Sequence, residues 1–419
     1  MNEESWTGAC ARRGLAASVG AALLLGGALS SAKEGFESPP TFRASKILPA
    51  ALLSGPNHDV GEQVRNDGFM NHYTISSRFG NFTAASDAEL RIRVDEVNAI
   101  ARLDEVSRHE QFASGVVKAG KDVLASATGV ITDPVDTIKE TGEGFMEILG
   151  SAGRTITGRG EGGVEDTIGY SRAKRQYAAA FGVDPYSTNP VLQEHLSRVS
   201  QAGYVGDFGA GAALGLASGG AGIALSSAGH MQSLRELVRD KSPQELREIN
   251  QEKLRAIGVD HFLIDRFLGN DSFSPSYQTA FVDSLEQLDG VDGLGEFIEM
   301  AARARGEDDA MFRVRQARMY ANYHKSVKRL RGAVRISGLV GVAFRTAGGT
   351  VVVNAPADYV ARTSKLADYM DAATSVGGAT GASPKQLWVA GRMSPTASKW
   401  FAANGWTTQA SAQKRLLPD

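Results

Sequence analysis

The sequence predicts an α+β fold, mainly helical. A small N-terminal β-meander comes first, then a central helical region holding a Gly-rich apolar helix, then a small C-terminal mixed α/β sheet. Three observations carry this. β-prone runs broken by Asp67-Gly68 and Gly80-Asn81 give hairpin signals near the start. Apolar residues then recur at helical spacing from Leu90 onward. Residues 333–419 return to strand-like runs, separated by glycine pairs and two helical stretches.

The elements follow in order. Residues 1–32 have the pattern of an export signal: Arg12 and Arg13, an apolar stretch from Leu15 to Leu29, then Ser30-Ser31-Ala32 ahead of Lys33-Glu34. Cleavage is expected after Ala32. ARRGLA is similar to a twin-arginine signal, but it lacks Ser or Thr before the pair and a large apolar residue after it, so general secretion is the expected route. The other reading is an uncleaved anchor, for which the stretch is short of the roughly 20 residues of a span. The only cysteine, Cys10, lies before the apolar run, so it is not a lipoprotein cysteine. Cleavage leaves a cysteine-free mature chain, with no disulfide, thiolate nucleophile or cysteine metal site.

Residues 33–85 read as an extended lead-in followed by the meander, VRNDGFMNHYTISSRFGNFTAAS. Residues 86–332 read as a helical domain. Ser86-Asp87-Ala88-Glu89 is a capping box, and Leu90, Val94, Val97, Ile100, Leu103 and Val106 follow on one helical face. Arg91, Arg93, Asp95, Glu96 and Arg102 fall opposite, the pattern of a solvated face. Helical character continues to Ala127 and restarts at Asp133-Pro134; residues 150–163 read as a linker. Further helices are expected from Ser171 to Phe181, after Asn189-Pro190, and after the strong start Ser242-Pro243-Gln244-Glu245. In residues 333–419, LVGVAFRTAGGTVVVNAP reads as a hairpin across Gly348-Gly349. A helix is expected from Ala357 to about Ala373, then strand, helix, strand through KQLWVAG, SPTASKWFAANG and WTTQAS.

Within the helical domain, residues 208–229 carry no charged side chain and place Gly211, Gly215 and Gly219 at four-residue spacing. This is a glycine zipper that lets a second helix approach closely, in the fold or at lipid. These three glycines are the helix-packing or membrane-contact candidates. Most of the run is Ala, Gly and Ser, so a buried helix or helix pair is the expected form, and membrane insertion is the alternative.

Chemistry is sparse. The formal net charge of −2 shows no basic excess, so nucleic acid is not an expected partner. GVVKAGKD, from Gly115 to Asp122, imitates a phosphate loop, but Asp122 stands where Ser or Thr binds magnesium and no strand precedes it. Gly209, Gly211 and Gly215 imitate a dinucleotide loop without a surrounding βαβ unit. The histidines form no compact metal set. Glu307-Asp308-Asp309 reads as a solvated face. The helix from Met311 to Leu330 has Arg313, Arg315, Arg318, Lys325, Lys328, Arg329 and Arg331 spread around it, with Phe312, Met319, Tyr323 and Val327 able to pack inward. It reads as an ordinary solvated helix, or else as a partner or anionic-lipid surface. No cofactor and no metal are expected.

The stretches DGFMNHYTISSRFGNFTAAS, VITDPVDTIKE and SRAKRQYAAAFGVDPYSTNPVLQ resemble an uncharacterised family of exported Gram-negative bacterial proteins with no established activity. The resemblance implies an envelope or secreted protein and brings no functional residues. The functional expectation is therefore an exported protein, periplasmic or secreted, with a scaffold or interaction role and an unknown protein partner. One alternative is a membrane-active protein that contacts lipid through the zipper. A second is a hydrolase with a dispersed site in a cleft beside the C-terminal sheet, built from several of His58, His72, His109, His195 and His324 with carboxylates.

Overall fold

The computed structural model describes residues 35–118, 164–205, 230–336, 341–364, 366, 369 and 383–418. The N-terminal sheet is antiparallel, with six strands: β1 (Thr41–Arg43), β2 (Ser54–Gly55), β3 (His58–Val60), β4 (Gln63–Asn66), β5 (Asn71–Ser77) and β6 (Gly80–Ala84). Its order is β1-β4-β5-β3-β2, with β6 also on β5. Both expected hairpins form. Gly68 (φ 99°) and Gly80 (φ 124°) supply the positive φ their turns require. Asn66 Oδ1 accepts from the Gly68 amide, and Asp67 Oδ1 from those of Phe69 and Met70. The lead-in is less extended than expected, since Ala44–Ile47 (α1) and Ala50–Leu53 (α2) each coil into a single short helix.

Helix α3 (Asp87–Lys118) starts where the capping signal places it, with the Glu89 amide donating to Ser86 Oγ. The return bond differs from a full capping box: Glu89 Oε2 accepts from Ala85, one residue upstream of the cap. All six residues of its expected apolar face are buried. Leu90 and Val94 pack on Val60, Val64, Tyr73 and Ile75 of the sheet. Ile100, Leu103 and Val106 pack on Leu192, Leu196 and Val199 of α5 (Pro190–Val205), beside α4 (Val164–Ala180). Each such side chain contributes about 1.5–3 kcal/mol of burial. The opposite face is only partly solvated. Glu96 is 1% exposed and Arg93 is also largely enclosed, because the α4–α5 turn and a later helix cover that side.

The remaining helices are α6 (His230–Asp240), α7 (Pro243–Ala256), α8 (His261–Leu268), α9 (Pro275–Glu286), α10 (Leu294–Ala301) and α11 (Glu307–Ser326). Ser242 and Glu245 form the complete capping box read from the sequence. A relay of ring contacts joins α8, α9, α10, α11 and the C-terminal sheet through Phe267, Phe281, Phe297, Tyr320 and Phe344. Its centroid separations run from 4.4 to 5.8 Å. Helix α11 sits at the centre of this packing, contrary to its reading as a solvated basic helix. Arg313, Arg315 and Arg318 are buried with the aromatic residues. The helix lies between α9 and the sheet, and its long side chains run along apolar surface toward polar groups at the edges.

The C-terminal sheet has five strands in the order β13-β11-β9-β8-β7. β7 (Leu330–Ile336), β8 (Gly341–Thr346) and β9 (Val351–Ala355) are antiparallel; β9, β11 (Lys385–Val389) and β13 (Trp406–Gln409) are parallel. The hairpin at Gly348-Gly349 and the helix Pro395–Ala403 (α12), capped by Ser394, stand as expected. The helix expected from Ala357 does not begin there. Tyr359–Val360 (β10) instead pairs in parallel with Arg392–Met393 (β12), and the Asp358 and Tyr359 amides donate to the Phe69 carbonyl. A contact with the N-terminal turn thus overrides local helix preference. The chain ends in the short helix Gln413–Leu416 (α13).

The fold is therefore a mainly helical α+β fold with N- and C-terminal sheets, and two expectations are corrected. No helix among the described residues is long and apolar enough to cross a membrane. The expected Gly-rich apolar helix of residues 208–229, with Gly211, Gly215 and Gly219, lies outside the described residues, and no described helix takes the part of a membrane-inserting glycine zipper. The chain is also not cysteine-free, since Cys10 is part of it. Residues 1–32, the restart at Asp133 and the linker 150–163 lie outside the described residues as well.

Candidate functional site

A cavity of about 410 Å³ opens beside the C-terminal sheet, a volume in the range of small-molecule sites. Five stretches enclose it: the β4–β5 turn, the first turn of α3, the N-terminal half of α11, β10 with Leu366 and Tyr369 after it, and the C-terminal sheet with α12. The deep end is apolar. Val353, Leu387, Phe401 and Trp406 line it, and they belong to the cluster between the sheet and α12. The other end is polar and holds Asp67, His72, Glu89, Asp308 and Asp309.

The sheet is split where the cavity meets it. The β8–β9 ladder runs through Arg345↔Val351 and Phe344↔Val352 and then stops. Beyond it, the Tyr320 hydroxyl enters the gap, donating to the Val342 carbonyl at 2.7 Å and accepting from the Asn354 amide at 3.1 Å. Gln316 Nε2 donates to the Asn354 carbonyl at 2.8 Å. Two side chains of α11 thus complete the backbone bonding of Asn354. Its side chain is left over. Asn354 is 0% exposed and lines the cavity, and neither its Oδ1 nor its Nδ2 has a hydrogen-bond partner among the described residues. Among those residues it is the one side chain with both polar atoms in that condition. The indole Nε1 of Trp406, another lining residue, is also without a partner. A buried amide left open in this way costs about 1–3 kcal/mol unless something answers it.

Arg93 joins three carboxylates, reaching Glu96 at 2.9 Å, Glu89 at 3.2 Å and Glu307 at 3.1 Å. Ser187 and Asn189 donate to Glu96 as well, and Thr188 to Glu307. Burial lowers the Arg93 pKa, but Glu96 and Glu307 outweigh it, so the net shift is upward. Burial raises Glu89 to about 7, against the opposing pull of the Ala85 amide and Arg93. Asp184 is likewise raised to about 7 by burial, although Ser276 and the Tyr186 amide donate to it.

A second junction ties the two sheets together. Asp358 Oδ2 accepts from the Asn71 amide at 3.0 Å and the Asp87 amide at 3.1 Å, the latter at the start of α3. Asp87 Oδ1 in turn accepts from Tyr73 and from Asn71 Nδ2. Burial and the neighbouring Asp87 charge raise the Asp358 pKa.

The histidines do not converge. His58 contacts the Leu52 carbonyl, His195 stacks against Phe79, and His324 contacts Arg329; His72 lies at the polar end of the cavity. The side chain of His109 lies outside the described residues. No metal-binding group of three His, Cys, Asp or Glu occurs among the described residues. Gly115–Lys118, the first half of the phosphate-loop match, continue α3, and Ala119–Asp122 lie outside the described residues. Glu307-Asp308-Asp309 is not a plain solvated face, since Glu307 joins Arg93 and Asp309 pairs with Arg313. The residue that sequence reasoning passed over is Asn354. Its signal is present in VVVNAP, a lone amide in a strand of buried residues.

No protein-family model matches the sequence, no curated protein matches it, and no solved structure matches it.

Proposed function

We propose that this is an exported binding protein whose interaction partner is a small, mostly apolar molecule, held in the cavity beside the C-terminal sheet. The observation that carries the reading is Asn354, a lining residue whose fully buried carboxamide has neither end bonded among the described residues. A carboxamide offers one donor group and one acceptor. The matching ligand has an apolar body for Val353, Leu387, Phe401 and Trp406, interrupted by an amide-like donor–acceptor pair. Export rests on the leader pattern of residues 1–32. Mass spectrometry of the chain secreted by a Gram-negative host tests that part, and a mature N-terminus at Lys33 is the expected result.

The binding reading is tested by calorimetric titration of the purified full chain with N-pentyloctanamide. One site is expected, with a negative heat-capacity change from apolar burial. Asn354→Leu should weaken binding roughly tenfold, since it removes both hydrogen bonds to the amide. Absence of binding overturns the reading. Equal affinity in the variant removes Asn354 from it. Nothing among the described residues favours membrane insertion.

A further inference from the structure

Trp406 opens β13, in register with Lys385 of β11 and so with Val351 of β9. Side chains alternate along a strand, so its indole shares a face of the sheet with Leu387, two residues past Lys385. The packing agrees: Trp406, Leu387, Phe401 and Leu366 belong to one apolar cluster, and all four line the cavity. The rings of Phe401 and Trp406 meet edge to face, with centroids 5.9 Å apart, and the Lys385 ammonium lies 5.5 Å from the centre of the indole.

The two buried indoles of this sheet are answered differently. Trp388 Nε1 donates to Gln386 Oε1 at 3.2 Å. Trp406 is 4% exposed, and its Nε1 is buried with no hydrogen-bond partner among the described residues. An indole nitrogen can only donate. The neighbours of Trp406 in its cluster are aliphatic, aromatic or thioether side chains, and none offers a strong acceptor. A plain methylene chain in this end of the cavity leaves the donor unanswered. An oxygen acceptor at the same point answers it.

Asn354 lies three residues beyond Val351 on β9, two strands from Trp406. At about 3.3 Å per residue and about 4.8 Å between strands, the two backbone positions are roughly 14 Å apart. That spacing calls for two polar groups on the ligand, set apart by an apolar stretch. We infer that the occupant carries, besides its amide, an oxygen acceptor in its apolar body that takes the hydrogen bond of Trp406 Nε1. This inference rests on the reading of the cavity as a ligand site. It narrows the ligand class to oxygenated acyl amides and makes Trp406 the residue that selects against a plain hydrocarbon tail.

The test uses three probes of equal chain length. N-pentyloctanamide has plain tails, N-pentyl-7-oxooctanamide has a ketone on the acyl arm, and N-(4-oxopentyl)octanamide has it on the amine arm. Each is titrated into the full chain and into Trp406→Phe, which keeps a ring and removes the donor, with circular dichroism confirming that the variant is folded. One of the two ketones should bind roughly three- to tenfold more tightly than the plain amide, as one added hydrogen bond allows. In Trp406→Phe that advantage should vanish, whereas a loss of packing alone weakens all three probes alike. In the native chain, one indole N–H resonance should move further downfield with the favoured ketone than with the plain amide, a readout that stands even if the variant fails to fold. Equal binding of ketones and plain amide overturns the second acceptor and leaves the apolar site standing. An advantage that survives in Trp406→Phe, or indole resonances that do not distinguish the probes, also overturns it. Failure of all three probes overturns the site itself.

Discussion

Two buried polar regions of this molecule stand in contrast. Around Arg93, each carboxylate accepts bonds from the guanidinium, and hydroxyls and amides of the α4–α5 turn complete two of them. At Asn354 the backbone is bonded, yet the side chain has no partner among the described residues. The first region is complete within the chain and holds α3, the α4–α5 turn and α11 together. The second is incomplete, and it lines a cavity. Similar burial with opposite bonding separates a group that serves the fold from one left for something else.

The contrast is sharpened by substitution. The largest effect is expected at the complete region. Arg93→Met leaves Glu89, Glu96 and Glu307 buried without their cation and should cost about 3–5 kcal/mol in urea unfolding. A cost below about 1 kcal/mol breaks the view of Arg93 as a keystone. Next is Glu89. Its folded pKa, about 7, lies above the ordinary 4.5. A raised carboxylate binds more protons folded than unfolded, so its contribution declines as pH rises between those two values. That decline amounts to about 3 kcal/mol for a shift of this size. Glu89→Gln should therefore make stability between pH 5 and pH 8 flatter than in the native chain. An unchanged slope assigns the pH dependence to other groups such as Asp184 and Asp358.

A smaller loss, about 1–3 kcal/mol, is expected for Tyr320→Phe. It removes the hydroxyl between the Val342 carbonyl and the Asn354 amide and leaves both strand groups unanswered. The smallest stability effect belongs to the incomplete region. Asn354→Leu removes an amide that bonds to none of the described residues, so thermal unfolding without ligand should shift by less than about 1 kcal/mol, or upward. A loss beyond about 2 kcal/mol gives Asn354 a structural role and erases the contrast.

Much of the fold was legible because its signals are local. Asp67-Gly68, Gly80, Ser86, Ser242, Gly348-Gly349 and Ser394 each announced a turn or a cap, and the six apolar positions of α3 announced its buried face. What was not legible depended on partners far away in sequence. Arg93 and Glu96 look like surface residues until the α4–α5 turn and Glu307 close over them. The arginines of α11 look solvated until α8, α9, α10 and the C-terminal sheet pack together with that helix. Ala357–Val360 favours a helix locally, but the turn at Phe69 captures its amides. The cavity was least legible of all, since five separate stretches make it, and Asn354 in VVVNAP has no address until β8 and β9 part.

The most direct test is a crystal structure of the full chain grown with N-pentyloctanamide. The expected result is electron density for the ligand in the cavity, its amide oxygen accepting from Asn354 Nδ2 and its N–H donating to Asn354 Oδ1. The contradicting result is a cavity filled by ordered waters that bond both ends of Asn354, unchanged by the ligand. In that case the amide serves buried water, and the cavity is part of the fold alone.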